Sequence, residues 1–334
     1  MTPAAAAASA AEDKPTLRLA QDVEPAEPSS PADPAASASS TAVAATAAAV
    51  SAAESHLEQL QRELDRMRDE LELLRRRDVA LQFYMHRLDE ELKLAARVQQ
   101  DFLPKSMPKI GPLRFHTLFR PAAPVSGDLY DVMRLDESHV GFYMADAVGH
   151  GMPAALLTMF LKQALVTKVI DATGYRLLAP SVTMQKLNDA LVAQKLSTAT
   201  FATALYGNIN YRTRRLTFAR GGHPDPILLS RDGELKILEA EGALLGIFPD
   251  DVYQQTAVEL EPGDRVFIYS DGVEIAFSNS DAPNPAEWRA LLHDRRYLPT
   301  EQIFADLRET LARVDANDDR KKDDLTVIAI EVER

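Results

Sequence analysis

Aspartates lie beside glycine, or beside one another, at the edges of four short β-rich runs of the sequence. The segments are VSGDLYD with Asp128, YMADAVGHG with Asp146, VFIYSDGVE with Asp271, and RKKDDLTVIAIEV with Asp323 and Asp324. Taken singly, an Asp-Gly pair next to a strand most often marks a turn. Strand ends distant in sequence can meet at one edge of a sheet, and clustered carboxylates are costly unless cations neutralise them. Carboxylate oxygens favour Mg²⁺ or Mn²⁺, and a pair of such ions suits phosphoester hydrolysis.

The composition narrows the classes of protein to which the chain can belong. The formal net charge is −13, the opposite of the basic footprint of nucleic-acid binders, so we expect no nucleic-acid partner. There is no cysteine, which excludes disulfides, thiolate zinc sites and a cysteine nucleophile. No apolar run reaches the ~18 residues that suggest a membrane span, and the N-terminus does not have the pattern of a secretory signal. We therefore expect a cytoplasmic protein without a membrane span.

The chain divides into three segments by composition. Residues 1–53 are rich in alanine and proline and contain no aromatic residue, which predicts a disordered tail that gains helix, if at all, after Ala42. Residues 54–103 contain neither glycine nor proline and have the spacing of one long helix. Residues 104–334 contain the runs expected of a globular domain, and their number is ample for one hydrophobic core.

The long helix has a heptad repeat of apolar residues over about six heptads. The pattern consists of Leu57, Leu60, Leu64, Met67, Leu71, Leu74, Leu81, Met85, Leu88, Leu92 and Ala95. Asp78 occupies one core position of this repeat, where a buried charge is costly unless it is paired. The pattern favours a homodimeric coiled coil through residues 57–102, and the open alternative is a helix that packs along its own domain.

The globular segment alternates β-rich and helical runs irregularly. The predicted strands are LRFHTLF, SHVGFYMA, TFATALYGNINY, LTFAR, PILLS, LKILE, RVFIYS and LTVIAIEV, and the predicted helices are MPAALLTMFLKQAL, PSVTMQKLNDALVAQ and TEQIFADLRETLARV. Two helices follow each other in the middle and others lie near the C-terminus, which is not the order of a parallel sheet. The pattern predicts an α+β domain of layered, largely antiparallel sheets.

A set of further motifs occurs in order over roughly residues 95–333. They are AARVQQDFLP, FRPAAPVSGDLYD, DAVGHGMPAALL, FATALYGNIN, RGGHPDPILL, LLGI, LEPGDRVFIYSDGVEIAF and DDLTVIAIEV. Together they resemble the motifs of the PPM-type serine/threonine phosphatases of the bacterial RsbU/SpoIIE class, relatives of protein phosphatase 2C. The resemblance implies an αββα sandwich of two antiparallel sheets with flanking helices. It also implies a centre of two Mn²⁺ or Mg²⁺ ions at one end of the sandwich.

The resemblance also implies roles for individual residues. Asp146 would contact both ions, the backbone carbonyl of Ala147 would serve one of them, and Asp271 and Asp323 would hold the other. Asp128 would lie near the ion that Ala147 serves. Asp324 is adjacent to Asp323, so the sequence leaves open which of the two is the ligand, although Asp323 occupies the matching place. No protein nucleophile is needed, because water activated by the ions attacks phosphorus.

Other residues near these motifs have less specific interpretations. Ser126 stands where the class usually has glycine, and serine tolerates positive φ less well, which puts the conformation of this loop in doubt. We expect Asp131 to orient the turn or a metal-bound water. Arg120 and Arg220 are candidates for a phosphate contact on position alone. His150 and His223 are more typical of residues that shape turns than of catalytic groups.

The resemblance implies a substrate class and partners as well. Similar proteins act on phosphorylated STAS-domain anti-anti-sigma proteins and so control a sigma factor through partner switching. We expect regulation through the coiled coil, with the signal brought by an activating protein bound to it. Two alternatives stay open: a catalytically inactive adaptor that binds a phosphoprotein, and a coiled-coil scaffold. The presence of the complete acid set favours the enzyme.

Overall fold

The computed structural model describes residues 34–172, 174–196, 200–278, 283–317 and 323–333, with the backbone alone at 34–42 and 315–317. Residues 1–33 of the predicted tail lie outside the described residues. The chain forms two compact units, Met1–Val79 and Ala80–Arg334. In the described part of the chain, no helix has an apolar stretch long enough to cross a lipid bilayer.

The first helix, α1, spans Pro34–Asp101. It begins at a proline, which the first turn of a helix tolerates, and no glycine or proline follows within it. Ion pairs one turn apart, such as Arg62 with Glu58 and Arg76 with Glu72, lie on its surface and add a few tenths of a kcal/mol each. The helix after Ala42 agrees with the expectation that the tail could gain helix there, but α1 begins earlier, at Pro34. Alanine has the highest helix propensity, which explains why the helix begins before the predicted boundary.

The heptad residues of α1 are exposed in the unit Met1–Val79. Leu57, Leu60, Leu64, Met67, Leu71 and Leu74 each have 45–61% of their surface accessible to solvent. Asp78 takes part in a polar interaction in the structure. Within the described part of this unit, the apolar repeat therefore has no partner from the chain itself.

Two five-stranded antiparallel sheets form the centre of the unit Ala80–Arg334. The first has the order β1-β12-β11-β8-β9, with β1 Leu113–Arg120, β8 Ile227–Leu229, β9 Leu235–Ile237, β11 Arg265–Tyr269 and β12 Leu325–Val332. The second has the order β10-β7-β6-β3-β2, with β2 Asp128–Arg134, β3 His139–Ala147, β6 Ala202–Asn210, β7 Arg215–Gly221 and β10 Gln255–Glu259. A separate hairpin pairs β4 (Lys168–Asp171) with β5 (Gly174–Leu177).

Helices cover the outer face of each sheet. The helices α2 (Met152–Ala164) and α3 (Pro180–Val192) pack on the second sheet, while α4 (Gly272–Ala276), α5 (Pro285–Asp294) and α6 (Thr300–Asn317) pack on the first. The sequence of strand β3 is largely apolar because both of its faces are buried. Phe142 and Met144 face the core between the sheets, whereas Tyr143 and Ala145 face the core under α2 and α3. The predicted αββα sandwich is confirmed.

Candidate metal centre

The predicted aspartates come together at one end of the two sheets. Strands β2 and β3 pair so that Asp128 lies directly opposite Asp146. In the neighbouring sheet, β11 leads through Ser270 to Asp271 at the start of α4, and Asp323 and Asp324 immediately precede β12. The side chains of these five aspartates are close enough to affect one another's ionisation. The structure thus gathers into one cluster the acids that the sequence places in four separate segments.

Asp128 links the two sheets. Its carboxylate is 1% exposed, and its Oδ2 accepts hydrogen bonds from Ser270 Oγ at 2.7 Å and Thr326 Oγ1 at 2.6 Å. Its Oδ1 is buried without a hydrogen-bond partner. Burial raises the pKa of Asp128 well above the usual range, and the charges of Asp324 and Asp271 raise it further against the effect of the two hydroxyls. A buried carboxylate with an orphaned oxygen is costly unless a positive charge compensates it.

Asp146 is affected by all four of the other aspartates in the cluster. Burial first, and then the charges of the four other aspartates, raise its pKa to about 9. Burial raises the pKa of Asp271, and the charge of Asp323 raises it further. Burial also raises the pKa of Asp323, where the hydrogen bond from the Asp324 N–H lowers it and the charge of Asp324 raises it. Carboxylates that repel one another in a site of low dielectric constant stay ionised when cations lie between them.

The structure distinguishes Asp323 from Asp324. The carboxylate of Asp324 accepts hydrogen bonds from the backbone N–H groups of Ala122 at 2.7 Å and Gly127 at 2.5 Å. These bonds tie both of its oxygens to the loop between β1 and β2. The Oδ1 atom of Asp323 accepts only from the N–H of Asp324, at 2.8 Å, among the bonds described. Asp323 therefore has the carboxylate with capacity for a cation.

The loop before Asp128 approaches the end of β3 closely. The N–H of Ala147 donates to the carbonyl of Gly127 at 3.1 Å, and a Cβ atom on Gly127 would lie 3.2 Å from the Ala147 carbonyl oxygen and 3.4 Å from Asp324 Oδ2. A larger residue at this position would therefore be in tight contact with both atoms. Ser126, whose backbone conformation was in doubt, does not adopt positive φ. Its Oγ instead accepts from the N–H of Asp128 at 3.1 Å, a bond that glycine could not form.

The Gly149-His150-Gly151 turn joins β3 to α2. Both glycines adopt positive φ, 89° and 74°, and no atom lies within 4 Å of a Cβ built on either. They are required for backbone conformation and not for space. His150 is exposed and lies near enough to Asp323 for its charge to lower the pKa of that residue.

The sequence also singled out Arg220 and Arg120 as possible phosphate contacts and Asp131 as a residue that orients the turn. Arg220 pairs with Asp225 at 2.7 Å and donates to the carbonyl of His223. Arg120 lies near the cluster, because its charge lowers the pKa of Asp323. Asp131, which we expected to orient the turn or a water, forms an ion pair of 2.8 Å with Lys162.

His223 is fully buried beside the cluster. Its Nδ1 lies 2.8 Å from Thr203 Oγ1, and burial and the charge of Arg220 lower its pKa to about 3. It lines a cavity of about 360 Å³ that also contains Asp271, Glu274 and Arg289 in its wall. The cavity therefore borders the acid cluster at Asp271.

The chemistry of these residues fits a site for divalent cations, although their side chains are not already arranged around a common point. Among the described residues, no three His, Cys, Asp or Glu side chains already converge as ligands of one ion. The buried, mutually repelling carboxylates and the orphaned Asp128 oxygen nevertheless match hard cations that take oxygen ligands.

Sequence reasoning missed three residues that support this cluster: Gln99, Ser270 and Thr326. The signal that could have found Ser270 and Thr326 is their position, since each is a hydroxyl residue next to or near a predicted ligand within an apolar run. Gln99 is a buried polar residue one helical turn after the buried Ala96. A polar residue on the apolar face of a helix was the available signal.

A family model described as Stage II sporulation protein E (SpoIIE) matches residues 136–333. The phosphoserine phosphatase RsbU of Bacillus subtilis is 29% identical over 244 residues, which are 73% of this chain and 70% of RsbU. The phosphoserine phosphatase RsbP of the same species is 26% identical over 186 residues, which are 55% of this chain and 45% of RsbP. Among solved structures, the SiaA-PP2C domain of Pseudomonas aeruginosa superimposes with a TM-score of 0.63 at 23% identity and covers 74% of this chain and 98% of that domain.

Proposed function

The chain belongs to the SpoIIE family of PPM-type phosphatases and is a protein serine/threonine phosphatase, and we propose that it removes phosphate from a phosphorylated STAS-domain protein in a metal-dependent reaction. The observation that carries the metal dependence is the acid cluster. Asp128, Asp146, Asp271 and Asp323 come from both sheets, and each has a raised pKa that a bound cation would reverse.

The proposed ligands follow the geometry of the cluster. Asp146 is influenced by all the other acids and is proposed to contact both ions. The carbonyl of Ala147, beside Gly127, is proposed to serve one ion, with Asp128 next to it. Asp271 and Asp323 are proposed to hold the other ion, while Asp324 fixes the loop. Two Mn²⁺ or Mg²⁺ ions, when bound, supply the positive charge that activates water and stabilises the charge developing on phosphorus.

The chain's own residues bind and orient the substrate around this centre. The cavity beside Asp271 is large enough for a side chain next to the phosphorylated residue. Arg289 lies in its wall and donates from Nε to the carbonyl of Pro285, which orients its guanidinium group. We propose that this cavity binds the substrate segment. Arg120 is the better candidate of the two arginines for contact with the phosphate, because it lies near enough to Asp323 for its charge to lower the pKa of that carboxyl group.

The phosphoprotein substrate is proposed from the relationship to RsbU and RsbP, which are named phosphoserine phosphatases. A STAS-domain anti-anti-sigma protein in a partner-switching pathway is the substrate class that this relationship favours. The cytoplasmic location stays a prediction.

We further propose a homodimer through residues 57–102. The exposed heptad leucines in the unit Met1–Val79 support it, since a helix with such a stripe is stabilised when a second copy covers it. An activating protein bound to the coiled coil would change phosphatase activity by favouring one of two states. A truncated chain lacking residues 1–94 tests this part: equal turnover and metal dependence in truncated and full-length protein would contradict coiled-coil control.

The central experiment measures phosphate release from a phosphorylated STAS protein and from para-nitrophenyl phosphate, with Mn²⁺ and with EDTA. We expect release that requires Mn²⁺ and is lost in Asp146→Ala. The exposed loop residue Asp250 provides the matched control, Asp250→Ala, which we expect to keep the wild-type rate. Metal-independent release, or an undiminished rate in Asp146→Ala, would contradict the proposed centre, and binding of the phosphoprotein without turnover would favour the adaptor.

A further inference from the structure

The loop between β1 and β2 carries Ser126 and Gly127 directly before Asp128, and the protein holds it from two sides. On one side, Asp324 accepts from the N–H groups of Ala122 and Gly127. On the other side, the backbone of Ser126 meets the side chain of Gln99 in the last turns of α1, within the unit Ala80–Arg334.

Gln99 uses both ends of its amide on the same residue. Its Nε2 donates to the carbonyl of Ser126 at 2.7 Å, and its Oε1 accepts from the N–H of Ser126 at 2.9 Å. The side chain thereby pairs with the loop as a neighbouring strand would. Gln99 is 7% exposed, so water cannot readily replace these bonds, and their loss would leave two buried backbone groups unsatisfied.

The end of α1 is itself fixed, which gives Gln99 a defined position. Lys162 of α2 donates to the carbonyl of Phe102 and forms an ion pair with Asp131 of β2. The helix end is thus tied to the same sheet that carries Asp128 and Asp146. A buried amide on a fixed helix end can hold a loop in one place.

Two hydrogen bonds connect Ser126 and the adjacent Gly127 to the acid cluster. Its Oγ accepts from the N–H of Asp128, the first residue of β2. The following carbonyl, that of Gly127, accepts from the N–H of Ala147, whose own carbonyl is a proposed ligand. A shift of Ser126 would therefore move the groups proposed to hold the ion next to the carbonyl of Ala147, the loop-side ion. It would leave in place Asp271 and Asp323, which lie at the ends of strands of the other sheet.

We infer that Gln99 is a positioning residue of the metal centre: its amide fixes Ser126 and thereby holds Asp128 and the Gly127–Ala147 contact in the arrangement that binds the loop-side ion. This inference rests on the proposed metal-dependent function. Gln99 does not touch the ions or the substrate. Its removal is expected to weaken Mn²⁺ binding, and a purely structural role would lower only the stability of the fold.

The test compares Gln99→Met with Gln100→Met in the full chain. Methionine keeps the length of the side chain and removes both hydrogen-bonding groups, and Gln100 is an exposed glutamine on the adjacent position of the same helix. Mn²⁺ binding is measured by calorimetry and by the electron paramagnetic resonance of free Mn²⁺, without substrate. Thermal unfolding in EDTA and phosphatase turnover are measured on the same samples.

We expect Mn²⁺ binding to one site to weaken about tenfold in Gln99→Met, the factor that corresponds to ~1.4 kcal/mol. Turnover at subsaturating Mn²⁺ should fall and should recover in part at high Mn²⁺. The Gln100→Met protein should match the wild type. If Gln99→Met does not fold, Gln99→Asn, which keeps a buried amide too short to span the same distance, carries the same expectation.

A folded Gln99 variant with wild-type Mn²⁺ affinity and turnover would overturn the inference, even if its melting temperature were lower. Wild-type protein that binds no Mn²⁺ would instead contradict the proposed metal-dependent function. The two failures are therefore distinguished by the wild-type titration.

Discussion

Asp128 and Asp146 face each other across the antiparallel pair of β2 and β3. Opposed positions in such a pair bring Cβ atoms to about 4.5–5.5 Å, and like charges there destabilise the sheet. Asp128 is almost fully buried, so water offers little screening. The protein therefore keeps a repulsive pair at the edge of its core.

Replacing Asp146 by Asn should separate stability from activity. The change removes a carboxyl group whose charged form the other aspartates oppose, so we expect the free energy of unfolding in EDTA to rise by on the order of 1 kcal/mol. Mn²⁺-dependent turnover should fall about 100-fold or more. Chemical denaturation in EDTA and phosphate release with Mn²⁺ measure the two effects. The exposed control Asp250→Asn should change neither, and an equal loss of stability and activity in Asp146→Asn would contradict this view.

Replacing Asp323 should mainly weaken metal binding, whereas replacing Asp324 should mainly lower the stability of the fold. We expect Asp323→Asn to weaken Mn²⁺ binding strongly and to leave metal-free stability unchanged or higher, since Asp323 has few hydrogen bonds to lose. Asp324→Asn leaves at least one of two buried N–H groups poorly bonded, so we expect a loss of about 1–3 kcal/mol. Mn²⁺ titration and urea denaturation of both variants provide the comparison. Reversed effects would make Asp324 the ligand.

Replacing Ser126 by glycine tests whether the loop needs the residue that the class usually has. Because Ser126 does not adopt positive φ, glycine offers no relief of strain and loses the hydrogen bond from the N–H of Asp128. We expect Ser126→Gly to stay active and to lose about 1 kcal/mol of stability. Ser126→Ala should lose a similar amount for the hydrogen bond alone. A gain of stability in Ser126→Gly would show that serine strains the loop.

The sequence predicted all five strands of the first sheet and the three central strands of the second. Strands β3, β6, β11 and β12 are apolar runs because they lie inside the sandwich. The strands of the second sheet that we did not predict, β2 and β10, are its two edges. An edge strand tolerates polar residues, and β10 alternates exposed and half-buried positions. The hairpin of β4 and β5 is largely exposed and carries no apolar pattern to detect.

At the candidate site, too, the sequence predicted some features and not others. The aspartates could be named from the sequence, since each lies at the end of an apolar run. The different surroundings of Asp323 and Asp324 could not, because they depend on the N–H groups of Ala122 and Gly127, about two hundred residues away in sequence. The same holds for Gln99, whose partner Ser126 lies in another element. Hydrogen bonds between residues distant in the chain produce no periodic pattern in the sequence, so the sequence alone does not predict them.

Stability should depend on pH through His223. Its pKa is about 3 in the folded protein because of burial and Arg220, against an ordinary value of 6.5, so the unfolded chain binds the extra proton more readily. The contribution of neutral His223 to the free energy of unfolding is fully present above about pH 6.5. It is lost as the pH falls from there towards 3. His223→Gln removes this titration, so the drop in melting temperature between pH 7.5 and pH 5 should be smaller in the variant. An equal drop in both proteins would contradict a neutral, buried His223.

The exposed heptad of α1 predicts a position-specific loss of dimerisation. Leu64 and Leu71 lie on the heptad stripe, whereas Leu73 is just as exposed but lies off it. Aspartate at a core position of a coiled coil buries an unpaired charge in both copies, which costs several kcal/mol per dimer. We expect Leu64→Asp with Leu71→Asp to convert a dimer into a monomer in multi-angle light scattering, and Leu73→Asp to leave the dimer intact. Monomeric wild-type protein, or equal loss in Leu73→Asp, would contradict a coiled coil through this stripe.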